Sequence, residues 1–259
     1  MTAPVLSVVV PVLNEQGCID ECIERVSRVL RTRTASWEII VVDDGSDDAT
    51  VSRVERWMRT ESRIQLLTQP HRGKGAAIQR GMLAAQGAWR LMADADLSVA
   101  PETWSVFFDA AEERDAADLI IGSREAAGSR RIGEPIARHF IGRVFNRIVQ
   151  LLAVPGINDT QCGFKLLRAD AARTLLPHLT VQGFAFDVEL LFLARRAGYL
   201  IREVGVTWVC RRDSRVRLGR GAAAFVDIAR IRVRQVSGRY RSLKARARAT
   251  AADETHASS

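Results

Sequence analysis

Paired cysteines are missing from this chain. Its 259 residues include four cysteines, Cys18, Cys22, Cys162 and Cys210, with no CxxC pair and no histidine at metal spacing. Cys18 and Cys22 lie one helical turn apart and read as small apolar residues in a reduced compartment. His71, His139 and His178 also lack partners at ligand spacing and read as structural. No window reaches about 18 uninterrupted apolar residues, so no membrane-spanning helix is expected. No basic stretch precedes the first apolar run, so no signal peptide is expected. Glycine-rich nucleotide loops are missing too. Gly73-Lys74-Gly75 lacks GxxxxGK[ST] spacing and no GxGxxG opens a helix, which excludes a Walker ATPase and argues against a dinucleotide dehydrogenase.

What is present is a core and an uneven charge. The hydrophobic content of 47% supplies a globular domain. The net charge is +8, but residues 1–194 carry 22 Lys+Arg against 25 Asp+Glu, while residues 195–248 carry 16 against 3. A basic C-terminal segment on a near-neutral domain predicts contact with an anionic surface. Its few aromatics, Trp208 and Tyr240 among them, are not interleaved with the cations as base stacking needs, so a phospholipid surface is expected and nucleic acid is not. The expected organisation is a domain over 1–219, a basic amphipathic segment over 220–248 at the membrane surface, and a disordered tail over 249–259.

Apolar, β-branched runs at Leu6–Pro11, Trp37–Val42, Ile64–Leu67 and Trp89–Ala93 alternate with helical patterns at Glu15–Arg33, from Val51, and up to Ala85. That alternation predicts α/β architecture: a Rossmann-like, mostly parallel sheet with helices on both faces. A helix over Phe107–Arg114 and a strand over Leu119–Gly122 continue it, and Gly122–Glu134 is expected to be a mobile loop. The helix expected over Ile136–Val154 carries a polar stripe of His139, Arg143, Arg147 and Gln150, so it packs in the core or lies in a membrane interface. Further on, a helix is expected over Phe184–Ala197 and a strand over Leu200–Val206. In the last segment Phe225, Ile228, Ala229 and Val236 share one predicted helical face.

Three strands run into polar loops at one sheet edge: Pro11-Val12-Leu13-Asn14-Glu15, Asp43-Asp44-Gly45-Ser46 and Asp94-Ala95-Asp96. Open α/β sheets bind nucleotides at that edge. Asp43 suits a base N–H, or forms only a turn. Asp94 and Asp96, two residues apart at a strand end, project the same way. They either cap a helix starting near Pro101 or hold a hard cation, Mg²⁺ or Mn²⁺, carrying a diphosphate. Lys74 is either a solvated loop charge or part of the site, and Asp159 and Gln161 either order their loop or touch ligand.

Together with Arg72-Gly73-Lys74-Gly75, Gly122-Ser123-Arg124, Asp159-Thr160-Gln161-Cys162-Gly163-Phe164-Lys165 and Phe186-Asp187-Val188-Glu189, these motifs resemble the inverting GT-A glycosyltransferases. Within them the chain resembles the polyprenyl- and dolichyl-phosphate sugar synthases, above all the dolichyl-phosphate glucosyltransferases, from Ser7 to about Val216. The resemblance implies transfer of a sugar from a nucleotide diphosphate sugar to a polyprenyl phosphate, with inversion, peripherally at the cytoplasmic membrane face. UDP-glucose is the first donor expected; UDP-N-acetylhexosamine and GDP-mannose are the others. It further implies that Pro11, Leu13, Glu15 and Asp43 line the nucleoside pocket, and that Asp94 and Ala95 face the ribose and diphosphate. Asp96 would hold the metal, with Ser98 standing where mannosyl-transferring relatives carry Gln. Arg124 and Arg138 would grip the acceptor phosphate, and Gly142 replaces a serine that relatives place four residues beyond the second arginine.

A phosphate monoester is already anionic, so it attacks the anomeric carbon with no side chain removing a proton. Asp187 and Glu189 are the candidates if a base exists, and otherwise mark only a helix N-terminus. Two rivals follow: transfer to a hydroxyl acceptor, which needs a base, and a non-catalytic basic membrane- or nucleic-acid-binding protein on a nucleotide fold.

Overall fold

The computed structural model describes residues 5–34, 36–113, 117–135, 142–143, 146–151, 153–183, 185–210, 220–241 and 243. β1 (Leu6–Val12), β2 (Trp37–Asp43), β3 (Ile64–Thr68) and β4 (Trp89–Met92) alternate with α1 (Ile19–Arg33), α2 (Thr50–Thr60) and α3 (Lys74–Ala84). After α4 (Ser105–Glu112) come β5 (Leu119–Ser123), β6 (Arg130–Ile132), β7 (Lys165–Arg168) and α5 (Ala169–Leu175). α6 (Phe186–Ala197), β8 (Ile201–Gly205), β9 (Thr207–Val209) and α7 (Arg220–Val236) complete the order.

Seven strands form the main sheet in the order β3-β2-β1-β4-β7-β5-β8. All neighbours are parallel except β7, which runs antiparallel to both β4 and β5. β1 is buried on both faces, and its alternation divides the core. Val8, Val10 and Val12 pack with Ile19, Cys22, Val54 and Phe107 beneath α1, α2 and α4. Val9 packs with Ala77, Ile78, Met82 and Leu190 beneath α3 and α6. This is the predicted doubly covered, mostly parallel sheet. Because the chain runs outward from β1 through β2 to β3 and then crosses to β4 on the other side of β1, the order reverses beside β1, and the loops after β1, β2 and β4 share one edge.

Two expectations change. The Gly122–Glu134 loop contains β6, which pairs in parallel with β9, and an isolated bridge joins Val99 to Trp208. These short strands escape a periodicity reading because β6 consists of two arginines and one isoleucine. In α7 the inward residues are Ile228 and Ile231, followed by buried Tyr240 and Leu243, whereas Ala229 and Val236 face outward. The predicted apolar face is thus turned, and the C-terminal segment packs into the α3/α6 core. From the 136–154 helix, 146–151 is helical, with Val149, Ala153 and Val154 in the core and Leu151 exposed. Arg138, His139, Phe140 and the 249–259 tail lie outside the described residues.

Candidate functional site

The loop after β1 is tied to the loop after β2 side chain by side chain. Asn14 N–H donates to Ser46 Oγ (2.8 Å), Asn14 Oδ1 accepts from Asp47 N–H (2.8 Å), and Glu15 N–H donates to Thr50 Oγ1 (2.8 Å). Asp43 accepts from the N–H groups of Gly45 and Ser46, so its carboxylate closes the turn that stood as the alternative to base contact. Asp44 ties the next loop down, accepting from Gln69 Nε2 (2.7 Å), Arg72 N–H (2.9 Å) and Gly73 N–H (2.8 Å), with His71 Nδ1 at 2.8 Å. Burial works against that charge, but these donors hold the Asp44 carboxyl below the usual carboxylate range. His71 is structural, as read.

The aspartates of the third loop do not serve as helix caps. The short helix at Pro101–Thr103 takes Ala100 as its cap and no side-chain cap bond, so neither Asp94 nor Asp96 caps it. Asp96 instead accepts one bond from Ser98 N–H (2.9 Å), and its second oxygen makes no hydrogen bond among the described residues. Leu97 between them sits at φ 52°, and Asn14 in the first loop at φ 54°. Non-glycine residues held in the left-handed region on two adjacent loops mark a site whose shape is imposed by its surroundings.

Lys74 is a partner in this site. Its Nζ lies 2.5 Å from Asp94 Oδ1. Burial disfavours the ammonium, but Asp94 and Asp187 outweigh it and raise the Lys74 pKa. A glycine makes the approach of Asp94 possible: a Cβ on Gly163 would fall 2.4 Å from Asp94 Oδ2. A small cleft follows, lined by Asp94, Ser98, Cys162, Gly163 and Trp208.

On the other side of β4 the charges are paired with each other. Arg124 grips Asp159 with Nε (2.7 Å) and Nη2 (2.9 Å), its own N–H adds a third bond (2.9 Å), and its guanidinium lies 5.3 Å from the Trp208 ring centre. Burial alone would raise the Asp159 carboxyl, yet Arg124 holds it down at about 2. Asp159 therefore orders its loop. Arg124 Nη1 and one Nη2 hydrogen make no hydrogen bond among the described residues.

Lys165, fully buried in β7, donates to Cys162 O (2.5 Å) and Asp187 Oδ1 (2.6 Å). Burial raises the Asp187 carboxyl, with Lys165 and Lys74 opposing. Glu189, also fully buried, accepts from Thr180 N–H (2.8 Å), Thr180 Oγ1 (2.5 Å), Val181 N–H (2.7 Å) and Tyr240 Oη (2.7 Å). Both proposed bases are thus engaged inside the protein. No group of three or more His, Cys, Asp or Glu side chains placed to hold a metal occurs among the described residues.

The structure therefore brings Pro11, Leu13, Glu15, Asp43, Asp94, Ala95, Asp96 and Ser98 to one edge and sets Arg124 across β4 from them. Arg138 lies outside the described residues. Lys165 and Trp208 had no role assigned from sequence. Lys165 carried a signal all the same: a lone cation in the apolar run Phe164-Lys165-Leu166-Leu167 must find a buried counter-charge.

The family model described as Glycosyl transferase family 2 matches residues 7–176. A dolichyl-phosphate beta-glucosyltransferase from Dictyostelium discoideum is 35% identical over 246 residues, covering 90% of this chain and 75% of the relative. The Homo sapiens enzyme of that name is 34% identical over 256 residues, covering 91% and 77%. Among solved structures, Mycobacterium tuberculosis glucosyl-3-phosphoglycerate synthase in complex with Mn²⁺, uridine diphosphate and phosphoglyceric acid superposes with TM-score 0.67 at 19% identity, covering 92% of this chain and 78% of that one. That likeness speaks to the GT-A fold. With the family match spanning most of the sheet and every loop of the nucleotide edge, this chain belongs to glycosyl transferase family 2.

Proposed function

We propose that this glycosyltransferase moves glucose from UDP-glucose to a dolichyl-type polyprenyl phosphate, with inversion, at the cytoplasmic face of a membrane. The names of the relatives support glucose as the sugar and dolichyl phosphate as the acceptor. One structural observation carries the phosphate acceptor: Asp187 and Glu189 are both buried and bonded, Asp187 to Lys165 and Glu189 to Thr180, Val181 and Tyr240. A hydroxyl acceptor needs a free base, whereas an ionised phosphate oxygen attacks unaided. In this reading Pro11, Leu13, Glu15 and Asp43 line the nucleoside pocket, and Asp94 and Ala95 face the ribose and diphosphate.

Asp96, with an oxygen left over, and Ser98, whose hydroxyl makes no hydrogen bond among the described residues, form a hard-oxygen donor set that fits Mg²⁺ or Mn²⁺. Such an ion neutralises charge on the departing nucleoside diphosphate. Lys74 adds a second cation beside Asp94. Arg124, through its free hydrogens, and Arg138 hold the acceptor phosphate.

Membrane contact falls to α7. Val226, Val233 and Val236 are 50%, 67% and 84% exposed on its outer face, beside exposed Arg230 and Arg232. An apolar stripe flanked by arginines suits the interface of an anionic bilayer. No helix among the described residues is long and apolar enough to cross a membrane. The test is incubation with radiolabelled UDP-glucose, dolichyl phosphate and Mg²⁺: label should enter the organic phase. If neither UDP-glucose nor a panel of other nucleotide sugars labels lipid, the reading falls.

A further inference from the structure

The nucleotide edge and the C-terminal segment are connected by one buried carboxylate. Glu189 on α6 accepts Tyr240 Oη from the C-terminal side, at 2.7 Å. The same carboxylate oxygen accepts from Thr180 Oγ1, and the second oxygen accepts from the N–H groups of Thr180 and Val181, so Glu189 also holds the 180–182 loop. Arg234 of α7 closes the same contact, donating to Thr180 Oγ1 and standing 4.0 Å from Glu189 Oε1. The next residue, Gln182, turns its carbonyl to Gly75 N–H at 2.7 Å. Gln79 of α3 adds a bond to Leu176 O (2.6 Å), at the start of the same connection.

The fit at Gly73 and Gly75 leaves no slack. A Cβ at Gly73 would lie 2.6 Å from Gln182 O, and one at Gly75 would lie 2.7 Å from both Val181 O and Phe186 Cβ. Lys74 is held between these glycines, so the placement of the 180–182 loop sets where the ammonium that meets Asp94 can stand. The path runs through short bonds and close contacts: Tyr240 and Arg234, Glu189, Thr180–Gln182, Gly75, Lys74, Asp94. Nothing in the chemistry of the transfer explains why a buried glutamate should accept four hydrogen bonds here, one of them from a tyrosine beyond α7.

We propose that Tyr240 and Arg234 are positioning residues for the donor: through Glu189 they fix the 180–182 loop against Gly73-Lys74-Gly75, so that the C-terminal segment sets the affinity for the nucleoside diphosphate. The proposal rests on the donor reading of Lys74 and Asp94. It makes the segment assigned to the membrane surface also a control on substrate binding beside the first turn of α6.

The test uses the full chain, UDP and Mn²⁺ in titration calorimetry, alongside steady-state kinetics with both substrates. Tyr240→Phe keeps the ring in place and deletes one bond to the carboxylate. It should weaken UDP binding about tenfold, equal to about 1.4 kcal/mol. KM for the nucleotide sugar should rise in step, with kcat at saturating donor and KM for polyprenyl phosphate within about twofold of wild type. Arg234→Gln, at a half-exposed position that leaves no cavity, should shift UDP affinity in the same direction by about threefold. A merely structural role would lower the melting point of both variants and leave UDP affinity alone. UDP affinity unchanged in both variants therefore overturns the proposal, and Arg234→Gln decides it if Tyr240→Phe does not fold. If wild type binds no nucleoside diphosphate at all, the donor reading itself fails and takes this coupling with it.

Discussion

The two sides of β4 handle charge in opposite ways. Toward β1 and β2 the loops are fixed by backbone N–H groups and small polar side chains, and Asp96 is left with an unused oxygen. Toward β7 and β5 three buried carboxylates are satisfied inside the protein: Asp187 by Lys165, Asp159 by Arg124, and Glu189 by hydroxyl and amide donors. An open carboxylate is useful to an incoming cation. A paired one holds a shape. In the proposed reading the first side receives the ligand and the other fixes the geometry around it, with Lys74–Asp94 standing at the seam between them.

The largest expected effect breaks the second side. Lys165→Met takes from the buried Asp187 carboxylate its hydrogen-bonded ion-pair partner, and should destabilise the protein by about 3–5 kcal/mol. For a chain of this size that lowers the melting point by roughly 6–20 °C, read in a thermal scan. Adding Asp187→Leu removes the stranded charge and should restore much of the loss. If the single variant melts like wild type but no longer turns over, the pair belongs to the chemistry and the contrast drawn above is wrong.

Asp96→Ala should do the reverse. Its side chain accepts a single hydrogen bond, so melting should hardly move. Turnover should drop about a hundred- to a thousandfold, the usual loss when one element of charge stabilisation at a leaving group is removed. The initial rate of label transfer at saturating donor and metal measures it.

Arg124 is the residue on which the contrast can be sharpened, because it is paired and yet has hydrogens to spare. Removing it alone strands Asp159, so the informative variant is the double Arg124→Gln/Asp159→Asn, which deletes both charges together. KM for polyprenyl phosphate should rise about ten- to a hundredfold, the range for lost hydrogen bonds to a charged group, with UDP affinity unchanged. An unchanged KM would make Arg124 a purely structural partner of Asp159.

This asymmetry also explains what could be read from sequence. β1, β2 and β4 are apolar runs that end abruptly in Asn14-Glu15, Asp43-Asp44 and Asp94-Ala95-Asp96, so both the sheet and its ligand edge leave a local pattern. β7 leaves almost none: four residues, one of them a lysine, inserted antiparallel between strands far away in sequence. The pairs Arg124–Asp159 and Lys165–Asp187 span 35 and 22 residues and depend on that insertion, so no spacing rule finds them. Asp187 and Glu189 read as possible bases because acidity at a helix start is visible in sequence and a buried partner is not. In α7, helical periodicity was legible, but inward and outward faces were not, since Ile228 and Ile231 on one side and Val226, Val233 and Val236 on the other are equally apolar.

That outer face gives the smallest and most specific effect. Arg232 is exposed beside the valine stripe, away from the Tyr240–Glu189 contact, so its loss should leave UDP binding untouched. One arginine near an anionic bilayer contributes about 1 kcal/mol, so Arg232→Ala should weaken sedimentation with phosphatidylserine-containing vesicles about fivefold. The difference should vanish near 1 M salt, where the screening length is about 3 Å, while the contribution of Val226, Val233 and Val236 remains. Equal binding of both forms at low salt would mean that α7 turns its outer face to something other than an anionic membrane. The basic charge of the C-terminal segment would then serve the protein's own packing, as Arg124 and Lys165 do on the β7 side of the sheet.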